Sequence, residues 1–189
     1  MDLARRLAAF EQADLYVVIS EAFCAGRTSL TVLDKILAAG VGIVQLREKD
    51  LEDRPLYELA VEFRRRTEAA GALLIIDDRV DIALAADADG VHLGQEDLPV
   101  AAAHRVAPNL IIGASTHSLE EALAAQEAGA GYVNLGPIFP TPPSRPPFPW
   151  ALRPSNASRP GSGFPGVPWA ASIRATLPRW WPGEPGTPR

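Results

Sequence analysis

Short apolar runs alternate along this chain with segments whose apolar residues recur every three or four positions. LYVVIS (15–20), GIVQLR (42–47), ALLIID (72–77), DGVHL (89–93), LIIGAS (110–115) and YVNLG (132–136) each predict a buried strand. Residues 29–39 place Leu30, Leu33, Ile36 and Leu37 at helical spacing, with Gly40 as a stop. Residues 53–70 set Leu56, Leu59, Ala60 and Phe63 on one face of a charged helix. Further helices are expected near 79–86, 99–106 and 118–128, the last ended by Gly129. The first sixteen residues carry Asp2 and Glu11 and no uninterrupted apolar core, so they read as a short amphipathic helix and not as a signal peptide.

Near-continuous apolar strands alternating with helices imply βαβ units and a parallel sheet covered on both faces. Periodicity alone fits either a barrel or a doubly wound sheet. No GxGxxG follows the first strand, which lowers the dinucleotide-binding reading. Polar residues cluster after strand upon strand, as at the C-terminal mouth of a barrel. The expected fold is therefore α/β, of the (β/α)₈ TIM-barrel type, incomplete after strand six.

Composition changes the picture at one place. Of 18 prolines, 13 lie beyond Thr141, and so do all 4 tryptophans. The tail has arginines, no lysine and no aspartate, and it is net positive while the whole chain carries −5. Residues 1–141 thus read as a partial barrel domain, and 142–189 as a Pro/Arg-rich tail without strand or helix pattern. The net charge argues against nucleic acid as a partner. No apolar run is long enough to span a bilayer. The single cysteine, Cys24, fits a reducing, cytoplasmic setting.

Candidate chemistry sits at the strand ends. Gln45, Arg47 and Lys49 in QLREK alternate with period two and so share one side. An amide and two cations there suit a phosphate or diphosphate, although Arg47 and Lys49 could instead pair with Glu48. Asp77 and Asp78 end the third strand, and Asp97 follows the fourth. Carboxylates on neighbouring loops could help hold Mg²⁺. Equally, each could cap the helix that follows it. His92 reads as a packed core histidine. Ser115, Thr116 and His117 end strand five, where a helix cap or a substrate contact is expected. Gly136, Pro137, Pro140 and Thr141 form the loop after strand six. No zinc-like His/Cys set and no Ser/His/Asp set is evident.

Together, QLREK, IIDDRVDIALAADADGVHLGQEDLP, GASTH and EEALAAQEAGAGYVNLGPIFPT resemble the thiamine-phosphate synthase family, in the family's order and spacing, from about Leu15 to Thr141. That resemblance implies a transferase of thiamine biosynthesis that joins a pyrimidine diphosphate to a thiazole phosphate, releases diphosphate and uses Mg²⁺. It implies that Gln45, Arg47 and Lys49 hold the pyrimidine diphosphate and that Asp78 and Asp97 bind Mg²⁺. Ser115 would lie by the diphosphate and reaction centre, and Thr141 by the thiazole phosphate. Lys49 and Ser115 are the expected catalytic residues. Asp77 stands where the family commonly has asparagine. Its extra carboxylate opposes an anionic substrate unless a cation such as Arg79 neutralises it. Alternatives are a thiazole tautomerase-like relative with His117 as acid/base, and a non-catalytic remnant of the synthase.

The tail departs from the family, and the genetic code offers a reason. Reading the third base of each codon with the first two of the next, Trp150-Ala151 and Trp169-Ala170 each force glycine. Trp180-Trp181 forces valine and Trp181-Pro182 forces alanine. From Pro168 the same frame permits Met-Gly-Gly-Ile-His-Pro-Gly-Asn-Ile-Ala-Gln-Val-Val-Ala-Arg-Gly-Ala-Arg, which resembles the family's Gly-Gly loop after strand seven. The tail is therefore expected to be the same gene in a shifted frame. A chain lacking the last two strands is expected to leave LYVVIS and YVNLG with open edges and to have little synthase activity.

Overall fold

The structure is a computed structural model that describes residues 2–136 and 173–175. The helices are α1 (Leu3–Gln12), α2 (Ser29–Ala38), α3 (Asp53–Ala70), α4 (Val80–Ala85), α5 (Val100–Val106) and α6 (Leu119–Glu127). The strands are β1 (Tyr16–Ile19), β2 (Ile43–Leu46), β3 (Leu73–Asp77), β4 (Gly90–Leu93), β5 (Ile111–Thr116), β6 (Tyr132–Leu135) and β7 (Ile173–Ala175). Every helix and strand expected before Thr141 is present. α3 spans the expected residues because Leu56, Ala60, Phe63 and Thr67 fall on one buried stripe. Gly71, at φ +70°, then ends it in a left-handed cap.

β1 to β6 pair in chain order, all parallel, as six-eighths of a barrel. Because side chains alternate along each strand, the sheet sorts its residues onto two surfaces. Val44, Leu46, Leu74, Ile76, Val91 and Leu93 face the outer helices and form the main core. Ile43, Leu73, Ile75, Ile111 and Tyr132 face inward. There α1 closes the N-terminal end of the barrel, with Phe10 stacked on Tyr132 at a ring separation of 4.6 Å. Burying Phe10 contributes about 1.5–3 kcal/mol, enough to hold a ten-residue helix that would be marginal alone.

β7 corrects one expectation. The tail was read as lacking strand pattern, yet Ile173–Ala175 pairs with β6, matching Leu135 to Ile173 and Val133 to Ala175. The pairing is antiparallel, so this segment is not a further strand of the parallel barrel, but it does cover the β6 edge that was expected to stay open. Among the described residues β1 pairs only with β2.

Gly113 lets the inner layer form. A Cβ there would overlap the Tyr132 ring. We expect Gly113→Ala to push that ring off Phe10 and lower unfolding free energy by about 1–3 kcal/mol. A urea titration would read this, and an unchanged midpoint would show that the ring has room to move.

Candidate active site

The interior becomes polar toward the C-terminal ends of the strands. Parity decides this: on β2 the inward positions run Ile43 then Gln45, on β3 Leu73, Ile75 then Asp77, and His92 on β4 stands level with Asp77 and Gly113. The strands thus deliver Gln45, Asp77, His92 and Ser115 to the same interior, toward the C-terminal ends of the strands.

Asp77 is the hub of one side. Its Oδ1 accepts from Gln45 Nε2 at 2.6 Å. Its Oδ2 lies 3.1 Å from Lys49 Nζ and 3.4 Å from Arg47 Nε. Those contacts are ion pairs out of line for hydrogen bonding, and Oδ2 is buried with no hydrogen-bond partner. Burial pushes the Asp77 carboxyl upward, the nearby Lys49 and Arg47 pull it back, and the net direction is up. Lys49 also pairs with Asp78. Burial works against its charge, but the hydrogen bond to Asp78 and the attraction of Asp77 prevail, so Lys49 is held above its ordinary value. Arg47 and Lys49 stay about two-fifths exposed at the mouth.

Two expectations about pairing are corrected here. Arg79 does not neutralise Asp77. It bonds Asp53 at 2.7 Å and Asp81 at 2.6 Å on the outside, because the chain turns at Asp78 and sends the next side chain away from the mouth. Nor does Glu48 occupy Arg47 or Lys49 in an ion pair; it accepts the Glu21 backbone N–H at 2.7 Å.

Asp78 sits at φ +59°, a left-handed conformation that aspartate tolerates better than most residues. Its N–H donates to the His92 carbonyl at 2.8 Å. Asp97 accepts the Gly94 N–H at 2.6 Å. Asp78 and Asp97 come together, as expected from their one-unit spacing. Burial raises the Asp97 carboxyl, and a hydrogen bond and charge from Asp78 raise it further against the Gly94 bond. Neither aspartate caps a helix: α4 follows Arg79 and α5 follows Pro99. Two touching carboxylates, one driven toward protonation, are a donor set that suits a hard divalent cation. Among the described residues no three His, Cys, Asp or Glu side chains form a cage. Mg²⁺ commonly takes one or two carboxylates and completes its shell from water and phosphate.

Across the mouth, Ser115 Oγ lies 2.8 Å from His92 Nε2, and the Gln95 amide donates to the Ser115 carbonyl. The cap of α6 is Ser118, not Ser115 or Thr116. His117 Nδ1 donates to the Gly136 carbonyl, and its N–H is held by Glu121. Thr141, Pro137 and Pro140 lie outside the described residues, as do the frame-shift reading and most of 142–189. Sequence reasoning missed Tyr16, Tyr132 and Gln95. The two tyrosines occupy inward strand positions where an apolar body is wanted, and a hydroxyl at such a position is the signal that could have found them.

His92 is buried as expected, and burial together with the Lys49 charge lowers its ring to about 4. Between its ordinary 6.5 and about 4, an unfolded chain takes up a proton that the fold refuses. Stability therefore falls as pH falls through that window, by up to about 3 kcal/mol. The raised Asp77 and Asp97 act oppositely, nearer 3.8, where the fold binds protons more readily than the unfolded chain. We expect the urea midpoint to drop from pH 7 to 5, and this slope to be reduced in His92→Gln. Equal slopes in the two proteins would assign the effect elsewhere.

No helix among the described residues is long and apolar enough to cross a membrane. The family model described as thiamine monophosphate synthase matches residues 15–153, past the boundary expected at Thr141. Thiamine-phosphate synthase of Chloroflexus aurantiacus is 48% identical over 127 residues, covering 67% of this chain and 59% of that protein. The Pyrococcus abyssi enzyme of the same name is 44% identical over 135 residues, covering 71% of this chain and 64% of its own length. The solved thiamine phosphate pyrophosphorylase of Pyrococcus furiosus superposes with a TM-score of 0.63 at 44% identity, over 67% of this chain and 61% of that one. The chain spans about three-fifths of the length of the curated relatives it matches. With six parallel strands, this mouth and these relatives in agreement, the chain belongs to the thiamine monophosphate synthase family.

Proposed function

We propose that this domain, with its barrel completed, condenses an aminopyrimidine methyl diphosphate with a thiazole phosphate, giving thiamine phosphate and diphosphate. The observation that carries this reading is the convergence of Arg47 and Lys49 with Asp77, Asp78 and Asp97 at one mouth. Cations beside paired carboxylates are what a metal-bound diphosphate needs.

In the reaction the bond between the methylene carbon and the diphosphate oxygen breaks, and its electron pair leaves with the diphosphate. The ring amino group of the pyrimidine stabilises the resulting cation, and the thiazole nitrogen donates the pair that forms the new carbon–nitrogen bond. Arg47 and Lys49 face the departing negative charge, which is electrostatic stabilisation of the leaving group. Gln45 is buried beneath the mouth, its amide held between Asp77 and Tyr16. Asp78 and Asp97 would hold Mg²⁺, which when bound neutralises charge on the diphosphate. No protein nucleophile is required. Thr141 would meet the thiazole phosphate. The buried free thiol of Cys24 supports a reducing, cytoplasmic setting.

The chain as written should be expressed beside a version whose tail is restored by a single-base frame correction after Thr141. Thiamine phosphate is expected from the corrected chain, with little or none from the other. Equal turnover would remove the frame-shift reading, and no turnover from either would remove the synthase reading. In the active version, Asp97→Asn is expected to raise the Mg²⁺ concentration for half-maximal rate about 10-fold or more. An unchanged requirement would exclude Asp97 as a ligand.

A further inference from the structure

A line of hydrogen bonds crosses the barrel interior from Ser115 to Asp77, and its direction is fixed from one end. The Asp77 carboxylate, facing Arg47 and Lys49, accepts, so the Gln45 amide turns its Nε2 to Asp77 at 2.6 Å and its Oε1 away. That oxygen can only accept, so Tyr16 donates its single hydroxyl proton to it at 3.1 Å. In the 2.9 Å contact between the tyrosines the donor must then be Tyr132. With that proton used, the 3.0 Å contact between Tyr132 and His92 Nδ1 requires Nδ1–H to donate. A neutral imidazole protonated on Nδ1 has a bare Nε2. The 2.8 Å contact there draws the Ser115 hydroxyl proton inward.

We propose that His92 is a positioning residue, locked in the Nδ1–H form by Tyr132, Tyr16 and Gln45, which turns the Ser115 proton into the barrel and presents the Ser115 oxygen to the mouth as a hydrogen-bond acceptor. The ligand group that meets Ser115 is then a donor, of the amino-on-a-ring class, and not a diphosphate oxygen. A diphosphate oxygen would have to take the Ser115 proton and leave His92 Nε2 buried without a partner, which costs more than a neutral hydrogen bond returns. An incoming N–H leaves every bond of the line intact. Three of its members are shut off from solvent, His92 at 5% exposure, Tyr132 at 4% and Gln45 at 3%, with Tyr16 and Ser115 half-buried. Low ring basicity agrees with a histidine that stays neutral. The nature of the ligand rests on the synthase reading above; the direction of the line does not.

The test is nitrogen NMR of the full chain with labelled histidine. His104→Gln and His117→Gln identify the remaining ring as His92. We expect a protonated Nδ1 and a bare Nε2, unchanged from pH 6 to 8, with the Nε2 signal moving downfield in Ser115→Ala. A protonated Nε2, or an average of both forms, overturns the proposal. This readout needs no turnover, so it stands or falls apart from the synthase reading. Adding 4-aminopyrimidine should preserve the Nε2 signal. Inorganic diphosphate with Mg²⁺ should also leave it in place, and a shift like that of Ser115→Ala on adding diphosphate would overturn the acceptor role. His92→Gln offers an acceptor near the Nε2 position and His92→Asn does not. The first should keep 4-aminopyrimidine affinity within about 3-fold, while the second should lose about 10-fold, as Ser115→Ala does. Equal losses in both would reduce His92 to a packing role.

Discussion

Replacing Asp89 with asparagine lowers the unfolding free energy by about 3–5 kcal/mol, a large part of the ~5–15 kcal/mol that holds an ordinary domain. Asp89 is 1% exposed at the N-terminal end of the barrel. Its Oδ1 accepts from Arg6 Nε at 3.2 Å, and its Oδ2 from Arg64 Nη1 at 2.7 Å and from the Leu74 N–H at 3.0 Å. Arg6 is 4% exposed and reaches on to the Asn109 carbonyl at 2.6 Å. One carboxylate therefore ties α1, α3, β3 and the approach to β5 together. Without its charge two guanidinium groups face each other inside the protein with only longer pairs left, Arg6 to Asp87 at 3.6 Å and Arg64 to Glu68 at 3.9 Å, and Arg64 Nε already lacks a partner. The loss is so large because the buried guanidinium groups lose their one buried counter-charge and keep only pairs with exposed carboxylates; the pair itself adds little over an apolar substitute. A urea titration measures it, and faster proteolysis near α1 should accompany it. A loss under about 1 kcal/mol would mean that water reaches the arginines.

Lys49→Ala in the frame-corrected protein is expected to reduce kcat/KM by about 10²–10³-fold while leaving the unfolding midpoint nearly unchanged. Lys49 is the cation shared by Asp77 and Asp78. Its removal leaves carboxylates facing an anionic substrate, and Asp77, already pushed upward by burial, loses its main opposing charge. Affinity for inorganic diphosphate with Mg²⁺ should fall in parallel. Lys49→Arg should recover only part of the rate, because a planar fork cannot reproduce a point charge between two carboxylates. A rate within about 3-fold of the parent would falsify the assignment of Lys49 to the leaving group.

The alternation of apolar runs and amphipathic stretches was enough to locate six strands and the helices between them, because burial on both faces imposes near-continuous apolar strands and one-sided helices. Motif order was enough for the family. Spacing also placed Asp78 and Asp97 on neighbouring loops. What local pattern could not decide is which charge meets which. Arg79 is adjacent to Asp77 in sequence yet turns outward to Asp53 and Asp81, while Lys49, a strand away, is the residue that reaches Asp77 and Asp78.

The same holds for Tyr16, His92 and Tyr132, which look like ordinary core residues one by one. Their hydroxyls and ring nitrogens meet only because the parallel register sets Asp77 beside His92 and Gly113 beside Tyr132, and because a glycine at 113 leaves space for the ring. Asp89 likewise carries no local sign of joining Arg6 and Arg64, which lie far away along the chain. The sequence by itself determined the elements before Thr141, their order and the family, since those follow from short-range periodicity and from motifs read along the chain. Only the tertiary structure decided the direction of the interior hydrogen bonds, the partners of Asp77 and the Asp89 anchor. Each depends on which side chains the closing curve of the sheet brings across its interior, and that is a property of several strands at once.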